Sequence, residues 1–526
     1  MGSGDRPGGA APGLPISNAS QEVAGALAWS LIAKILVSLL AIASNVLIIR
    51  GLGEHAYGVY SIYLNIAHFL ALGIGLGFAQ AVLQFLPEMR VKRDARGARQ
   101  ILLRGLVLQL GGWIVVLGIV ILLRGWLSTL LNADLRTILP LGTALLLFET
   151  FWTYLSSVYT AMRHMRRLAI ASVAAKAALV GLLVLLIRSG ATVPGVLYVV
   201  AGGFMFGILL LAPGLRRLLP WIGVPRGRGL PARRHLRFAL PIALGTLINQ
   251  VLWRSSETLF IGHFDGPVAA GFYNAAYNLA QMVLEFVPLA IWPVILATLS
   301  EAHTVRREDL LRGTRLYFRL LYILVVPAAL TGGILGGQVY LVMYGEGMAP
   351  GATLCQFFFV LFLVGFFATP LRMALYVKER AMTNAWITGV GAAVNVALDF
   401  LLIPRYGIWG GAWAVMVALV VSAVLQFVVS RRLLPGLRIP WRDLGRILLA
   451  SAIVLPLWLV RTHLNHLVPL LAVLIGATLV QFLLLRVMRV FGPEERGLLL
   501  KSNLPWKAWI VRILGAEDEG RGSRSN

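Results

Sequence analysis

Two ionisable residues interrupt an apolar run near the middle of the chain. Arg254 and Glu257 lie within ALPIALGTLINQVLWRSSETLFIGHF, residues 239–264. An ionised side chain exposed to lipid near the bilayer centre costs about 2.5–3.5 kcal/mol on insertion scales. We therefore expect both side chains to face protein or water, where the arginine can bind an anion. The alternative is a structural ion pair of Arg254 with Glu257 or Glu285.

Four apolar segments carry polar residues at helical spacing, since positions four, seven and eleven apart share one face of a helix. The four stripes are Ser30, Lys34, Ser38 and Asn45; Ser61, Asn65 and His68; Thr246, Gln250, Arg254 and Glu257; and Asn274, Asn278, Gln281 and Glu285. In lipid, such stripes must turn toward protein or water. We predict that these helices face one another across a wet central cavity with two cations, Lys34 and Arg254.

The remaining ionisable residues of the apolar segments are assigned simpler roles. Glu149 and Lys176 lie at mid-depth in consecutive segments and are predicted to form a structural pair. Asp399 is predicted to lie near a helix end and to reach the interface. His68 is a candidate proton site, and a hydrogen-bonded polar side chain is the alternative.

The composition places these stripes in a polytopic membrane protein of the all-α class. Of the 526 residues, 58% are hydrophobic and 13% are charged, whereas soluble proteins hold about 25% charged residues. A helix needs about 20 apolar residues to cross a bilayer. We predict 14 spans, at 26–49, 57–86, 101–123, 137–161, 169–187, 195–215, 238–262, 269–300, 316–343, 351–376, 385–403, 409–430, 446–461 and 468–486.

The net charge of +25 reflects membrane orientation and gives no reason to expect a nucleic-acid partner. The great majority of the 47 Lys and Arg residues fall in alternate loops, which the positive-inside rule places in the cytoplasm. Both termini are therefore predicted to be cytoplasmic. The single cysteine, Cys355, excludes an intramolecular disulfide. No motif predicts a cofactor, a metal site or an enzyme active site.

A weak internal repeat suggests how the spans are grouped. A shift of 213 residues aligns YGVYSIYLNIAH (57–68) with AGFYNAAYNLAQ (270–281) and pairs the second span with the eighth. Since these two spans are six positions apart, an even number, two parallel six-helix lobes are predicted. The predicted domains are a disordered tail (1–25), an N-lobe (26–215), a basic linker (216–237), a C-lobe (238–430), a helix pair (446–486) and a tail with an interfacial helix (487–526).

Three stretches resemble a known transporter superfamily. They are RGLGEHAYGVYSIYLN (50–65), LFIGHFDGPVAAGFYNAAYNLAQ (259–281) and NVALDFLLIPRYGIWGGAWAVMVALVVS (395–422). The chain resembles the multidrug/oligosaccharidyl-lipid/polysaccharide exporter superfamily, and within it the polysaccharide transporter (Wzx-type) flippases. This resemblance implies a V-shaped pair of lobes that works by alternating access. The implied cargo is a polyprenyl-diphosphate-linked oligosaccharide, moved from the inner to the outer leaflet of a bacterial-type plasma membrane.

The resemblance also implies roles for the striped residues. Lys34 and Arg254 are expected to neutralise the diphosphate of the cargo. Asn65, Asn278 and Gln281 are expected to meet sugar hydroxyls.

Because members of this superfamily couple transport to ions, Glu257, Glu285 and His68 are the candidates for ion coupling. The expected partners are the lipid-linked glycan, membrane lipids and a polysaccharide polymerase or export machinery. Three alternatives stay open: a lipid II-type flippase, a cation-coupled drug exporter, and a membrane polymerase or ligase. The last is disfavoured because the longest predicted external loop, 124–136, is short.

Overall fold

The computed structural model of the chain describes residues 16–75, 77–92, 94–218, 245, 256–305, 307–488 and 490. Within these ranges the regular structure is helical, with no β-strand. The predicted all-α class is therefore confirmed.

The α-helices follow one another with short connections. In chain order they are α1 (Ile16–Gly75), α2 (Phe78–Val91), α3 (Ala95–Leu130), α4 (Ile138–Ala161), α5 (Met165–Ser189), α6 (Val193–Leu218), α7 (Ser256–Phe264), α8 (Pro267–Val305), α9 (Arg307–Tyr344), α10 (Pro350–Val377), α11 (Ala381–Leu433), α12 (Trp441–Ser451), α13 (Leu457–Val460) and α14 (Leu467–Val487).

Membrane-spanning length and hydropathy recur along the chain. Among the described residues, ten helical segments are long and apolar enough to cross a bilayer. Two of them, in α1 and α11, are double-length and contain non-helical backbone at Gly53 and Gly407. Each therefore supplies two consecutive crossings. The helix α8 adds a further 39 residues of helix. The chain is a multi-pass membrane protein, as its composition predicts.

Two predicted boundaries are wrong. Helix α1 begins at Ile16, directly after Pro15, so the predicted tail 1–25 is too long. The polar residues Ser17 and Asn18 favour a helix start, and no proline follows them in the tail.

The second boundary lies inside a predicted span. The span 57–86 is divided at Gly77, whose φ of 72° ends one helix before α2 begins. The predicted span 446–461 lies within Trp441–His463, which is long and apolar enough to cross a bilayer. Inside this segment, α12 gives way to short 3₁₀ turns and α13 near Pro456, because proline cannot continue an α-helical hydrogen-bond pattern.

Several predicted features lie outside the described residues. These are Arg254, residues 219–237 of the basic linker, the first part of the predicted seventh span, and the C-terminal interfacial helix.

The turns alternate between two ends of the helix bundle. At the end called here the basic end, the turns carry Lys and Arg side chains, as in 92–94, 163–167 and 431–442. At the opposite end, the turns centre on residues with positive φ, namely Gly53, Asn132, Gly190, Gly266, Gly345 and Gly407. Gly53 and Gly266 are related by the 213-residue repeat, and both have positive φ, so the two copies of the repeat share this backbone conformation.

The repeat also brings its two copies into contact. Gly58 and Gly271, which the repeat aligns, lie against each other where α1 crosses α8. A Cβ on Gly271 would come within 3.0 Å of Gly58 Cα, and a Cβ on Gly58 would overlap the Pro267 carbonyl. The absence of side chains lets the two backbones touch, as expected for matching surfaces related by a two-fold axis.

The main core lies around this crossing. The largest hydrophobic cluster contains buried side chains from both α1 and α8–α11. Tyr273 and Tyr277 of α8 pack edge-to-face on Phe358 of α10, with ring centroids 5.3 and 5.2 Å apart. Such contacts add to the dispersion energy of a dense core. The core therefore holds α8 firmly against α1 and α10.

Candidate functional site

A buried polar cluster joins the start of α7 to the first half of α11. Glu257 is 2% exposed, and its Oε1 accepts a hydrogen bond of 2.6 Å from Asn395 Nδ2. The same amide lies 3.1 Å from Ser256 Oγ. Asn395 is fully buried. The amide thus links two residues of α7 to α11.

A second carboxyl group completes the cluster. Asp399 is one helical turn after Asn395 and is also fully buried. Both of its carboxyl oxygens are buried, and the Ser256 hydroxyl of α7 is the hydrogen-bonding neighbour of this carboxyl group. It interacts electrostatically with Glu257 and with Tyr273, whose hydroxyl is buried without a described partner. The expectation that Asp399 reaches the interface is wrong, because α11 packs this residue against α7.

Small residues make room for the cluster. Gly411, in the second half of α11, lies where a Cβ would come within 3.2 Å of Tyr273 and 3.4 Å of Glu257. The chain reverses at Gly407, where φ is 53°, so both halves of α11 flank the cluster. Four chain segments therefore converge on two carboxyl groups.

The buried carboxyl groups of Glu257 and Asp399 need a compensating positive charge or protonation. Two like charges buried close together in a medium of low polarity repel strongly unless a cation or protons neutralise them. The available donors are carboxylate, amide and hydroxyl oxygens, which suit a hard cation. Within the described ranges, no group of three or more His, Cys, Asp or Glu side chains is placed to hold a metal ion. The oxygen atoms of the cluster can accept a proton or a hard cation.

A second polar set follows α8 along the predicted stripe. Asn274 Oδ1 accepts from Tyr57 of α1 at 3.3 Å and from Asn278 at 2.6 Å. One turn later, Gln281 Nε2 donates to Glu285 Oε1 at 2.9 Å. The Tyr57–Asn274 bond links α8 to α1, and the other two bonds lie within α8.

The striped residues of α1 have mixed environments. Asn65 is 2% exposed and donates to Ser61 O at 2.8 Å, whereas Lys34 and His68 are exposed. Near Gly58 the two helices touch, so the predicted wet cavity does not extend to that level. Since Arg254 lies outside the described residues, the predicted pair of cavity cations stays a prediction.

The residues Glu149 and Lys176 are both half-buried and interact electrostatically across α4 and α5. The side chains of Tyr60 and Tyr63 on α1 also lie near Glu149. The structural role of the pair stays a prediction.

Sequence reasoning selected Glu257 but assigned no site role to Asn395 or Asp399. Their spacing of four residues within an apolar segment was a usable signal, because it places an amide and a carboxyl group on one helix face. The spacing does not reveal that α7 packs against this face of α11, because that contact forms only in the folded chain.

Comparison with solved structures identifies the fold. The lipid II flippase MurJ in an inward closed conformation superposes with a TM-score of 0.65 at 13% identity, covering 87% of this chain and 97% of that one. An inward-facing MATE family transporter of the MOP superfamily superposes with a TM-score of 0.60 at 14% identity, covering 77% of this chain and 98% of that one. A MOP superfamily transporter from Pyrococcus furiosus superposes with a TM-score of 0.54 at 15% identity, covering 78% of this chain and 96% of that one.

Sequence comparison gives the family. No curated protein matches the chain. A family model described as "Polysaccharide biosynthesis protein" matches residues 24–303, which is more than half of the chain. The matched region includes most of α1 and α8 and the first acidic residue of the buried cluster, Glu257. The chain therefore belongs to the polysaccharide biosynthesis protein family and has the fold of the MOP superfamily transporters.

Proposed function

We propose that this protein is a flippase, and not an enzyme, which moves a polyprenyl-diphosphate-linked oligosaccharide between membrane leaflets. The family supports a role in polysaccharide biosynthesis, and the fold is one shared with a lipid II flippase and with MATE transporters. The direction would be from the inner to the outer leaflet of a bacterial-type plasma membrane, with both termini in the cytoplasm. A polysaccharide polymerase or export machinery would then receive the glycan.

The observation that carries the proposal is the position of the carboxyl cluster. Glu257, Asn395 and Asp399 lie on the helices that pack against α8, and α8 contacts α1 across the repeat. A proton or monovalent cation would relieve the repulsion between the two carboxyl groups and favour the packed arrangement. Its departure would favour separation of α7 from α11. Ion binding would thereby change the relative energies of two states, as alternating access requires.

In this proposal the cargo binds elsewhere. Lys34 and Arg254 would neutralise its diphosphate, because phosphate oxygens are recognised by cationic donors. Asn278 and Gln281 would supply amide groups to sugar hydroxyls after exchanging their present partners. Asn65 is assigned the same role.

The test is a transport assay in liposomes. The purified protein would be reconstituted with a fluorescent polyprenyl-diphosphate oligosaccharide, and transfer between leaflets would be followed with and without ion gradients. Wild type should transfer the lipid, and Lys34→Ala and Arg254→Ala should each slow transfer about tenfold or more. Asp399→Asn should remove the response to the ion gradient. The matched control is Asp134→Asn, an exposed carboxyl group in the turn after α3.

Each result has a definite meaning. If folded Lys34→Ala and Arg254→Ala variants match wild type, the cargo does not use these cations. If Asp399→Asn keeps the response to the gradient, the buried cluster is structural. If wild type transfers no oligosaccharide lipid but transfers lipid II or exports cationic drugs, the assigned cargo is wrong.

A further inference from the structure

A cavity of about 360 Å³ lies at the basic end, between the last turn of α11 and the first turn of α12. Its walls include Phe427, Ser430 and Arg431 from α11, Arg438 from the connection, and Trp441 from α12. It is separate from the carboxyl cluster, which lies at the start of α7. Neither the cargo path nor the ion site proposed above uses these residues.

One wall of the cavity is apolar and aromatic. Trp441 is 61% exposed, and its ring stacks on Phe367 at a centroid distance of 5.7 Å. Phe427 packs on Phe367 at 6.4 Å, and Leu371 is buried behind them in the cluster that anchors α12. An exposed tryptophan beside an amphipathic helix is typical of the membrane–water interface.

The other wall is cationic and contains an unsatisfied hydroxyl. The guanidinium of Arg431 lies 5.6 Å from the centre of the Phe427 ring, and both Arg431 and Arg438 are exposed. Ser430 is fully buried, and its Oγ has no hydrogen-bond partner among the residues that the structure describes. A buried hydroxyl without a partner costs free energy, which a ligand oxygen would recover.

We propose that this cavity binds an anionic phospholipid, with the headgroup phosphate between Arg431 and Arg438 and the Ser430 hydroxyl. The first part of an acyl chain would lie on Phe427 and Trp441. Cations at the interface attract anionic headgroups, and arginine binds phosphate oxygens through two parallel donors.

The positive charge around the cavity favours an anionic phospholipid over the C-terminal segment of this chain as the occupant. Arg432, Arg442 and Arg446 flank the cavity and are exposed. The aromatic C-terminal segment LPWKAWIVRILG (504–515), a possible apolar occupant, carries Lys507 and Arg512 and would be repelled. A lipid bound here would stabilise the packing of α12 on α11 at the membrane surface.

The test is native mass spectrometry of the full chain in detergent, with phosphatidylglycerol or phosphatidylcholine added at matched concentrations. Wild type should retain phosphatidylglycerol preferentially. The double variant Arg431→Ala/Arg438→Ala should bind it about thirtyfold more weakly, because each arginine loses a direct charge-assisted hydrogen bond to the phosphate. The matched control is Arg432→Ala/Arg442→Ala, which removes two neighbouring arginines outside the cavity and should change binding less than fivefold.

A second variant tests the hydroxyl without disturbing the charge. Ser430→Ala should weaken phosphatidylglycerol binding about threefold to tenfold and leave the lipid-free melting temperature unchanged or higher, because an unsatisfied hydroxyl is removed. The proposal is overturned if both lipids bind equally, if the two double variants behave alike, or if inorganic phosphate binds as well as the lipid. It is also overturned if phosphatidylglycerol binds only after the acidic segment 517–519 is deleted, because that segment would then be the occupant.

Discussion

The two carboxyl groups of the buried cluster are satisfied to different degrees. Glu257 accepts a short hydrogen bond from Asn395, whereas the neighbouring donor of Asp399 is a single hydroxyl, that of Ser256. A single amide cannot donate to all four carboxyl oxygens, because its nitrogen carries two hydrogens. The unfilled acceptor positions of Asp399 are therefore where a proton or cation would bind.

Asn395→Ala tests the link between α7 and α11. Losing a buried charge-assisted hydrogen bond should lower the free energy of unfolding by about 1–3 kcal/mol. The measurement is thermal unfolding in detergent, repeated with increasing sodium or potassium. A cation that binds the folded cluster should raise the melting temperature of wild type more than that of the variant.

The control for this variant is Thr478→Ala. Thr478 is exposed, and its hydroxyl donates to Leu474 O of the same helix at 2.7 Å. Its loss should change stability by no more than about 0.5 kcal/mol. Equal stability of Asn395→Ala and wild type would show that the amide does not connect the two helices.

Among the helices, hydropathy predicts the positions of several helices well and the positions of breaks poorly. The spans predicted around α4, α5 and α10 agree with their helices, because an apolar run of about 20 residues is the signature of a membrane-spanning helix. The break at Gly77 was missed because hydropathy carries no information about φ. The burial of Asp399 was missed for a different reason: it depends on α7, which is remote in sequence.

The kink within α1 depends on one glycine. Gly53 has φ 73° and ψ 178°, a combination that only glycine adopts readily. A Cβ there would meet no atom within 4 Å, so Gly53→Ala tests backbone strain alone. We expect a loss of about 1–3 kcal/mol in unfolding free energy.

The matched control for the kink is Gly118→Ala. This glycine is in the middle of α3, has ordinary helical φ and also has open space around it. Alanine there should stabilise the helix by about 0.5–1 kcal/mol. If thermal unfolding moves both variants in the same direction, the conformation at Gly53 does not limit substitution.

At the scale of the whole molecule, the described hydrogen bonds between the two halves lie toward the end opposite the basic end. Arg50 of α1 donates to Met343 O at 2.8 Å and to Val342 O at 2.6 Å on α9. Tyr344 donates to Asn45 Oδ1 at 2.9 Å. These bonds, with the Gly58 contact, close that end of the molecule.

Gly58→Leu should force this end open. A leucine side chain has no room beside the Pro267 carbonyl, so α1 and α8 must separate. Spin labels at positions 188 and 405, both exposed at this end, should then report a longer distance. Labelling is specific because the single native cysteine, Cys355, is fully buried. The control Gly181→Leu, at an exposed position with open space, should leave the distance unchanged.

Arg50→Ala tests the same contact between the two halves, because it removes hydrogen bonds and leaves the packing of α1 on α8 intact. Arg50 caps carbonyl groups near the C-terminal end of α9, where the helix dipole favours a cation. Loss of two hydrogen bonds from a charged but exposed donor is worth about 1–2 kcal/mol, or about tenfold in the ratio of closed to open states. The distance distribution between labels at 188 and 405 should therefore gain a longer component, and Arg124→Ala, an exposed arginine at the same end, should not produce it. If Arg50→Ala keeps the wild-type distribution while Gly58→Leu lengthens it, glycine packing and not the arginine holds this end closed.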